Sequence, residues 1–385
     1  MLPRILLGPG PSLTPPSVQA AMALPPIGHM DVALLPVLDE IVTLLRETFQ
    51  TANEVTFPIS GTGTAGMEAA FANTLAPGTR VLVASCGYFA ERMAEVARRL
   101  GAEVTLVDAP WGQMVDPADV ERALRKTGAQ VLGVVHVETS TGVCQPCREF
   151  AQMAHNHSAV ILVDAVASLG GMEIPVDQWE IDLCYSGSQK CLSAPPGLAP
   201  LTLNSRVRTH ATARTSPSFY LDIELLWQYW GPGHAYHHTA PVPLLYALQE
   251  ALRLVHEEGL SARVARHQHH AAALWAGLEA LGLRLFVPES LRASSLTTVH
   301  VPDRIDEARV RRRLLEEYGI EIAGGLGPLR GRIWRIGLMG YSSQIQHVIL
   351  VLFALENILR SEGFSLDGGA AVRAASRILA TAPVL

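Results

Sequence analysis

Lysine is almost missing from this chain. Of thirty basic residues only two, Lys126 and Lys190, are lysines, and the other twenty-eight are arginines. Cysteine is scarce too. Five residues without regular spacing do not make a disulfide framework and point to a reducing cytoplasm. No apolar run is long enough to span a bilayer; Val348–Leu355 is too short and runs into Glu356. The first ten residues are broken by Pro3, Gly8, Pro9 and Gly10, which does not read as a signal peptide. The final Ala-Pro-Val-Leu385 matches no retention or peroxisomal tripeptide. A net charge of −6, with acids and bases interleaved, lacks the basic stripe of a nucleic-acid binder.

What is present is apolar bulk. With 49% apolar residues among 385, the chain can fill one large domain and a smaller one. Residues 1–17, rich in proline and glycine, read as an extended arm with too little bulk to fold alone, free to lie across a neighbour. Residues 18–257 read as the large domain. After an amphipathic helix at 31–50, apolar strands alternate with helices from Val55 to Tyr185, the pattern of a parallel sheet covered on both faces. Such sheets bind ligands at the carboxyl ends of their strands, where Thr62, Thr139, Asp164 and Lys190 fall. Residues 258–385 read as a small α+β domain ending in a weakly helical tail.

Several residues at those ends can carry chemistry, each beside a plainer reading. Lys190 closes Tyr185-Ser-Gly-Ser-Gln-Lys190 and precedes Ala194-Pro-Pro-Gly197. Desolvated there, its amine would be a nucleophile; otherwise it is a loop lysine. Ser60-Gly-Thr-Gly-Thr64, between a strand and a helix, is either a phosphate cradle or a glycine turn. Asp164 either caps a turn or pairs with a cationic heterocycle nitrogen. In His136-Val-Glu-Thr-Ser-Thr-Gly142, the hydroxyls either bond a ligand or make a polar turn. Phe89 either packs into the core or stacks on a flat ring. Arg335 alternates with apolar neighbours on a strand, so it needs a carboxylate, from a ligand or from the chain itself. Tyr236-His-His-Thr239 reads as an exposed loop. Cys144 and Cys147 lack a second pair to complete a metal site, and no metal is expected. His267, His269 and His270 read as a solvated helix face.

Together these stretches resemble the class V aminotransferase family of fold-type I pyridoxal 5'-phosphate enzymes, and within it the alanine–glyoxylate and serine–pyruvate aminotransferases. The resemblance runs from Leu7-Gly-Pro-Gly-Pro-Ser12 to Arg335-Ile-Gly-Leu338. It includes Val163-Asp-Ala-Val-Ala-Ser-Leu-Gly-Gly171 and Phe219-Tyr-Leu-Asp222. It implies an α/β fold with a mainly parallel seven-stranded sheet, and a cytoplasmic homodimer with shared active sites. Lys190 would bond the cofactor covalently and move the substrate's α-proton. Asp164 would pair with the ring nitrogen, Phe89 would stack on the ring, and Thr139 would bond its 3-hydroxyl. Gly63, Thr64 and Gln189 would hold the phosphate, with Thr62 and Val166 also among the cofactor-binding residues. Tyr236 and Thr239 would reach the other subunit's phosphate. Arg335, with backbone near Gly28, would bind the substrate carboxylate. The implied reaction is ping-pong transfer of an amino group from alanine or serine to glyoxylate or pyruvate. A cysteine desulfurase-like lyase and a non-catalytic cofactor-binding scaffold are the rivals. The lyase needs a reactive cysteine in the small domain, yet the last cysteine is Cys191.

Overall fold

The computed structural model describes residues 4–211 and 216–381. Among them seven strands share one sheet, in the order Val55–Ser60, Leu198–Leu203, Leu183–Tyr185, Val160–Asp164, Val131–Val135, Arg80–Ser85, Glu103–Asp108. All run parallel except Leu198–Leu203, which pairs antiparallel with both neighbours. Val131–Val135 and Val160–Asp164 are buried along their whole length, which is why they read as unbroken apolar runs. Leu198–Leu203 was hidden by Pro200, since proline argues against a central strand. Pro200 sits opposite Pro58 and beside Ser186, one residue past the end of Leu183–Tyr185, so no ladder bond needs its missing N–H.

Helices pack against this sheet by their apolar stripes. In Leu35–Phe49 the spaced residues Leu38, Ile41, Leu45 and Phe49 are all buried. Asp116 caps Pro117–Thr127 by accepting from Ala118 N, and Gly128 ends it in the left-handed conformation. Val242–Glu258 lies against Leu35–Phe49 and Pro16–Met22, and its buried residues belong to the sheet's core. A second core gathers side chains from Leu274 to Ala375 around a three-stranded sheet that contains Ile333–Gly337.

Two expectations give way, those for the arm and for the histidine face, and a third, the tail, holds. The described part of the arm lies on its own chain: Ile5–Leu6 pairs parallel with Ile320–Glu321, and Leu7 is buried in the second core. The tail is helical as expected: Ala370–Leu379 is docked on Leu260–Ala280, with Gly277 leaving room for Leu352 and the Ala371 carbonyl. Residues 382–385 lie outside the described residues. The histidine face is not solvated. His267 and His270 are buried, and only His269 is half-exposed. His267 donates from Nδ1 to Arg263 O (2.7 Å) and accepts at Nε2 from Gly340 N (2.9 Å), tying its helix to the Gly340 turn. Packing, not charge pattern, decides which side of that helix is wet.

Candidate functional site

A cavity of about 170 Å³ opens at the carboxyl ends of the parallel strands, and Thr62, Gly63, Thr64, Phe89, Thr139, Asp164, Val166, Gln189 and Lys190 all line it. Lys190 leaves the short strand Leu183–Tyr185 through four small or polar residues. Its Nζ donates to the carbonyl of Pro9 in the arm, and Ser12 bonds its backbone through Ser12 Oγ to Lys190 O (2.7 Å). Gly10, at φ +107°, is the close approach that lets the arm cross the lysine; a Cβ there would collide with Nζ. Burial lowers the Lys190 pKa to about 8. Asp164 ends its strand facing the same space. Burial raises its pKa to about 6, against bonds from Val166 N to Oδ1 (2.8 Å) and Tyr185 OH to Oδ2 (3.1 Å).

At the far side the helix Gly63–Ala72 points its N-terminus into the cavity. Thr62 is its N-cap but makes no side-chain cap, so the first amide groups stay available to an anion. Gly63 lies tight against Val166, where a Cβ would come within 2.9 Å of Cγ2. Oε1 of Gln189 is buried without a partner in the chain, which leaves this amide free to turn its N–H groups onto a ligand. Arg92 was missed by sequence reasoning. It also lines the cavity, three residues after Phe89 on the same helix face, with its Nη1 3.3 Å from Thr64 Oγ1 and its guanidinium 5.0 Å from the Phe89 ring centre. One arginine among twenty-eight gives no sequence signal; the i,i+3 spacing from Phe89 was the available clue.

Phe89 and Thr139 are held by a residue between their elements, Glu138. This fully buried carboxylate accepts from Phe89 N (3.0 Å), Ala90 N (3.2 Å), Ser140 N (3.0 Å) and Ser140 Oγ (2.7 Å). Thr139 O in turn accepts from Arg335 Nη1 (2.9 Å), while Arg335 Nε donates to Gly324 O (2.7 Å). Those carbonyls, not a carboxylate, are the partners of Arg335 among the described residues. An internal salt bridge therefore does not explain its place on the strand.

Four expected residues do not line this cavity: Arg335 lies just behind it, bonded to the carbonyl of the lining residue Thr139, and the other three stand apart. Tyr236 is 64% exposed, Thr239 and Gly28 are exposed, and none lines the pocket of its own chain. Tyr236 and the Gly28 loop are neighbours, with the His29 and Tyr236 rings 5.5 Å apart. The thiols are inert by burial, which pushes Cys191 up to about 11 and Cys144 to about 12. An amine titrating near 8, a carboxylate, an aromatic face and an uncapped helix N-terminus together suit a flat heterocycle with an aldehyde and an anionic arm.

Comparison with known proteins bears on the chain as a whole. A family model described as aminotransferase class-V matches residues 28–334. The (S)-ureidoglycine–glyoxylate transaminase of Bacillus subtilis (strain 168) is 41% identical over 392 aligned residues, 97% of this chain and 94% of that one. A crystal structure of the ureidoglycine–glyoxylate aminotransferase from Bacillus subtilis superposes with a TM-score of 0.97 at 42% identity, covering 99% of each chain. The alanine–glyoxylate aminotransferase of Callithrix jacchus is 43% identical over 363 residues, 93% of this chain and 88% of that one.

Proposed function

Since the chain belongs to the class-V aminotransferase family and so works with pyridoxal 5'-phosphate, we propose that it transfers an amino group from a small amino acid to glyoxylate or pyruvate in two half-reactions. When bound, the cofactor supplies an aldehyde that condenses with amines and a ring that accepts electrons from the substrate's α-carbon. Lys190 is the residue that bonds it. With a pKa of about 8, roughly a tenth of the Lys190 amine is neutral at pH 7, far more than of a solvated lysine. Displaced by the substrate amine, Nζ would be the base positioned to take the α-proton and to deliver it to the carbon that was the cofactor's aldehyde. Asp164, pinned by Val166 N and Tyr185 OH, keeps a proton on the ring nitrogen. Phe89 would cover one ring face, and Thr139, which lines the cavity, would bond the ring hydroxyl. Tyr236 and Thr239 serve the partner subunit's site.

Arg335 is the observation that carries the substrate reading. A buried guanidinium with only two carbonyl partners is a clamp for one carboxylate. Alanine and serine fit as donors, because they bring that carboxylate and no distal charge. The high likeness to a ureidoglycine–glyoxylate enzyme over nearly the whole chain supports a second donor, (S)-ureidoglycine, which also lacks a distal carboxylate. The desulfurase reading loses ground, since all five cysteines fall at or before Cys191 and none sits in the second core. Five free thiols fit a reducing cytoplasm.

A panel of alanine, serine, (S)-ureidoglycine, aspartate and glutamate, against glyoxylate and pyruvate, tests the proposal. The small donors should react and the two diacids should lag well behind. Arg335→Ala should cost about 2–5 kcal/mol in kcat/KM. Equal rates with glutamate and alanine would overturn the single-clamp reading. A protein whose colour does not change on adding any donor would be a scaffold rather than a transaminase.

A further inference from the structure

We infer that Arg92 is the counter-cation of the cofactor phosphate and makes the site selective for the phosphorylated cofactor. A phosphate monoester carries a charge of about −1.5 to −2 at neutral pH. In a half-enclosed cavity such a charge needs a fixed positive partner. The N-terminus of Gly63–Ala72 offers about half an elementary charge. The other groups at that end, Thr62, Thr64 and Gln189, are neutral. Two cations line the cavity, Lys190 and Arg92. Lys190 is committed to the aldehyde end, and Arg335 is bound to Thr139 O and Gly324 O. Arg92 remains, and its geometry suits the task. Its Nη1 lies 3.3 Å from Thr64 Oγ1 in the first turn of that helix. Its guanidinium is held over the rings of Tyr88 (5.2 Å) and Phe89 (5.0 Å). Rings fix a guanidinium in place without neutralising it. It makes no ion pair with a carboxylate among the described residues; Asp164 feels its charge across the cavity without bonding it, so the guanidinium N–H groups remain for a ligand.

Equilibrium titration of the cofactor-free full chain, followed by tryptophan fluorescence, separates this role from simple packing. The probes are pyridoxal 5'-phosphate and pyridoxal, which shares the ring and aldehyde but lacks the phosphate. Arg92→Gln should weaken binding of the phosphorylated probe by about ten- to a hundredfold. Pyridoxal affinity should change less than about threefold, so the preference for the phosphorylated form collapses. Arg92→Lys should recover part of it. Inorganic phosphate should compete with the phosphorylated probe in the wild type and much less in Arg92→Gln. Pyridoxal binding doubles as the check that the variant keeps its site. Equal weakening of both probes would mean that Arg92 acts only by packing on Phe89, and no weakening of either would mean that the phosphate lies elsewhere; each outcome overturns the assignment.

Discussion

Asp164 and Lys190 are perturbed by the same cause, burial, and in opposite directions. Burial raises the carboxyl to about 6 and lowers the amine to about 8, so each charged form is costly until a cofactor arrives. For Asp164 the consequence has a definite sign. Its folded pKa stands above the value of about 3.9 in an unfolded chain. Between those values the folded state still holds a proton that the unfolded state has lost. Stability therefore falls as pH rises through this window, and the penalty is complete above about 6. It is on the order of 3 kcal/mol. Asp164→Asn should raise the melting temperature of the cofactor-free protein at pH 7.5, change it little at pH 4, and weaken cofactor binding. An unchanged melting temperature at pH 7.5 would show that this carboxylate is not strained in the empty site. Borohydride reduction followed by peptide mapping should label Lys190; a label on Lys126 would sink its assignment. Lys190 was legible in the sequence because lysine is so rare and its neighbours so small. Arg92 was not, since nothing along the chain tells it from other helix arginines until Thr64 and Phe89 fold beside it.

Between residues and elements stands Glu138. Helix Tyr88–Arg99 begins at Gly87, which has no side chain to cap it. Glu138, on a short strand forty-eight residues beyond Ala90, takes the amides of Phe89 and Ala90 instead, and its other oxygen fixes Ser140. One carboxylate thus sets both Phe89 and the loop whose Thr139 carbonyl steadies Arg335. Glu138→Ala should cost about 2–5 kcal/mol, because it strands several buried donors, and would be read as a lower unfolding midpoint. Glu138→Gln, which keeps the shape, should unfold less readily than Glu138→Ala while still raising KM for the amino donor. A Gln variant with wild-type KM would limit Glu138 to a structural cap. The strand–helix alternation was legible because each parallel strand is apolar on both faces. The local rules failed where tertiary packing overrode them: at Pro200 in the antiparallel strand and at the buried His267 and His270. Glu138 was passed over because its value depends on donors distant in sequence.

At the scale of the molecule, the site joins both cores. The parallel sheet supplies Asp164 and Lys190, Arg335 on a strand of the second core is tied to the cavity through Thr139 O, and the arm crosses Lys190 on its way from one to the other. Yet the loop bearing Tyr236 and Thr239 turns outward. Beside it Phe219 is 70% exposed and Tyr220 46%, with Tyr220 OH bonded to Ser60 O (3.2 Å) just before the turn that faces the cavity. Exposed aromatics around a loop whose Tyr236 and Thr239 do not line its own pocket suit a contact with a second copy. A two-fold axis would put each loop into the other chain's pocket. Mixing variants decides the matter. Lys190→Ala and the double variant Tyr236→Phe/Thr239→Val should each be impaired as homodimers. Unfolded together in equal amounts and refolded, about half of the dimers should be hybrids. Each hybrid would hold one intact site, with Lys190 from one chain and the loop from the other, and one site damaged twice. Activity should recover to about a quarter of the wild-type level. Recovery no greater than the mean of the two variants would show that each loop serves its own chain.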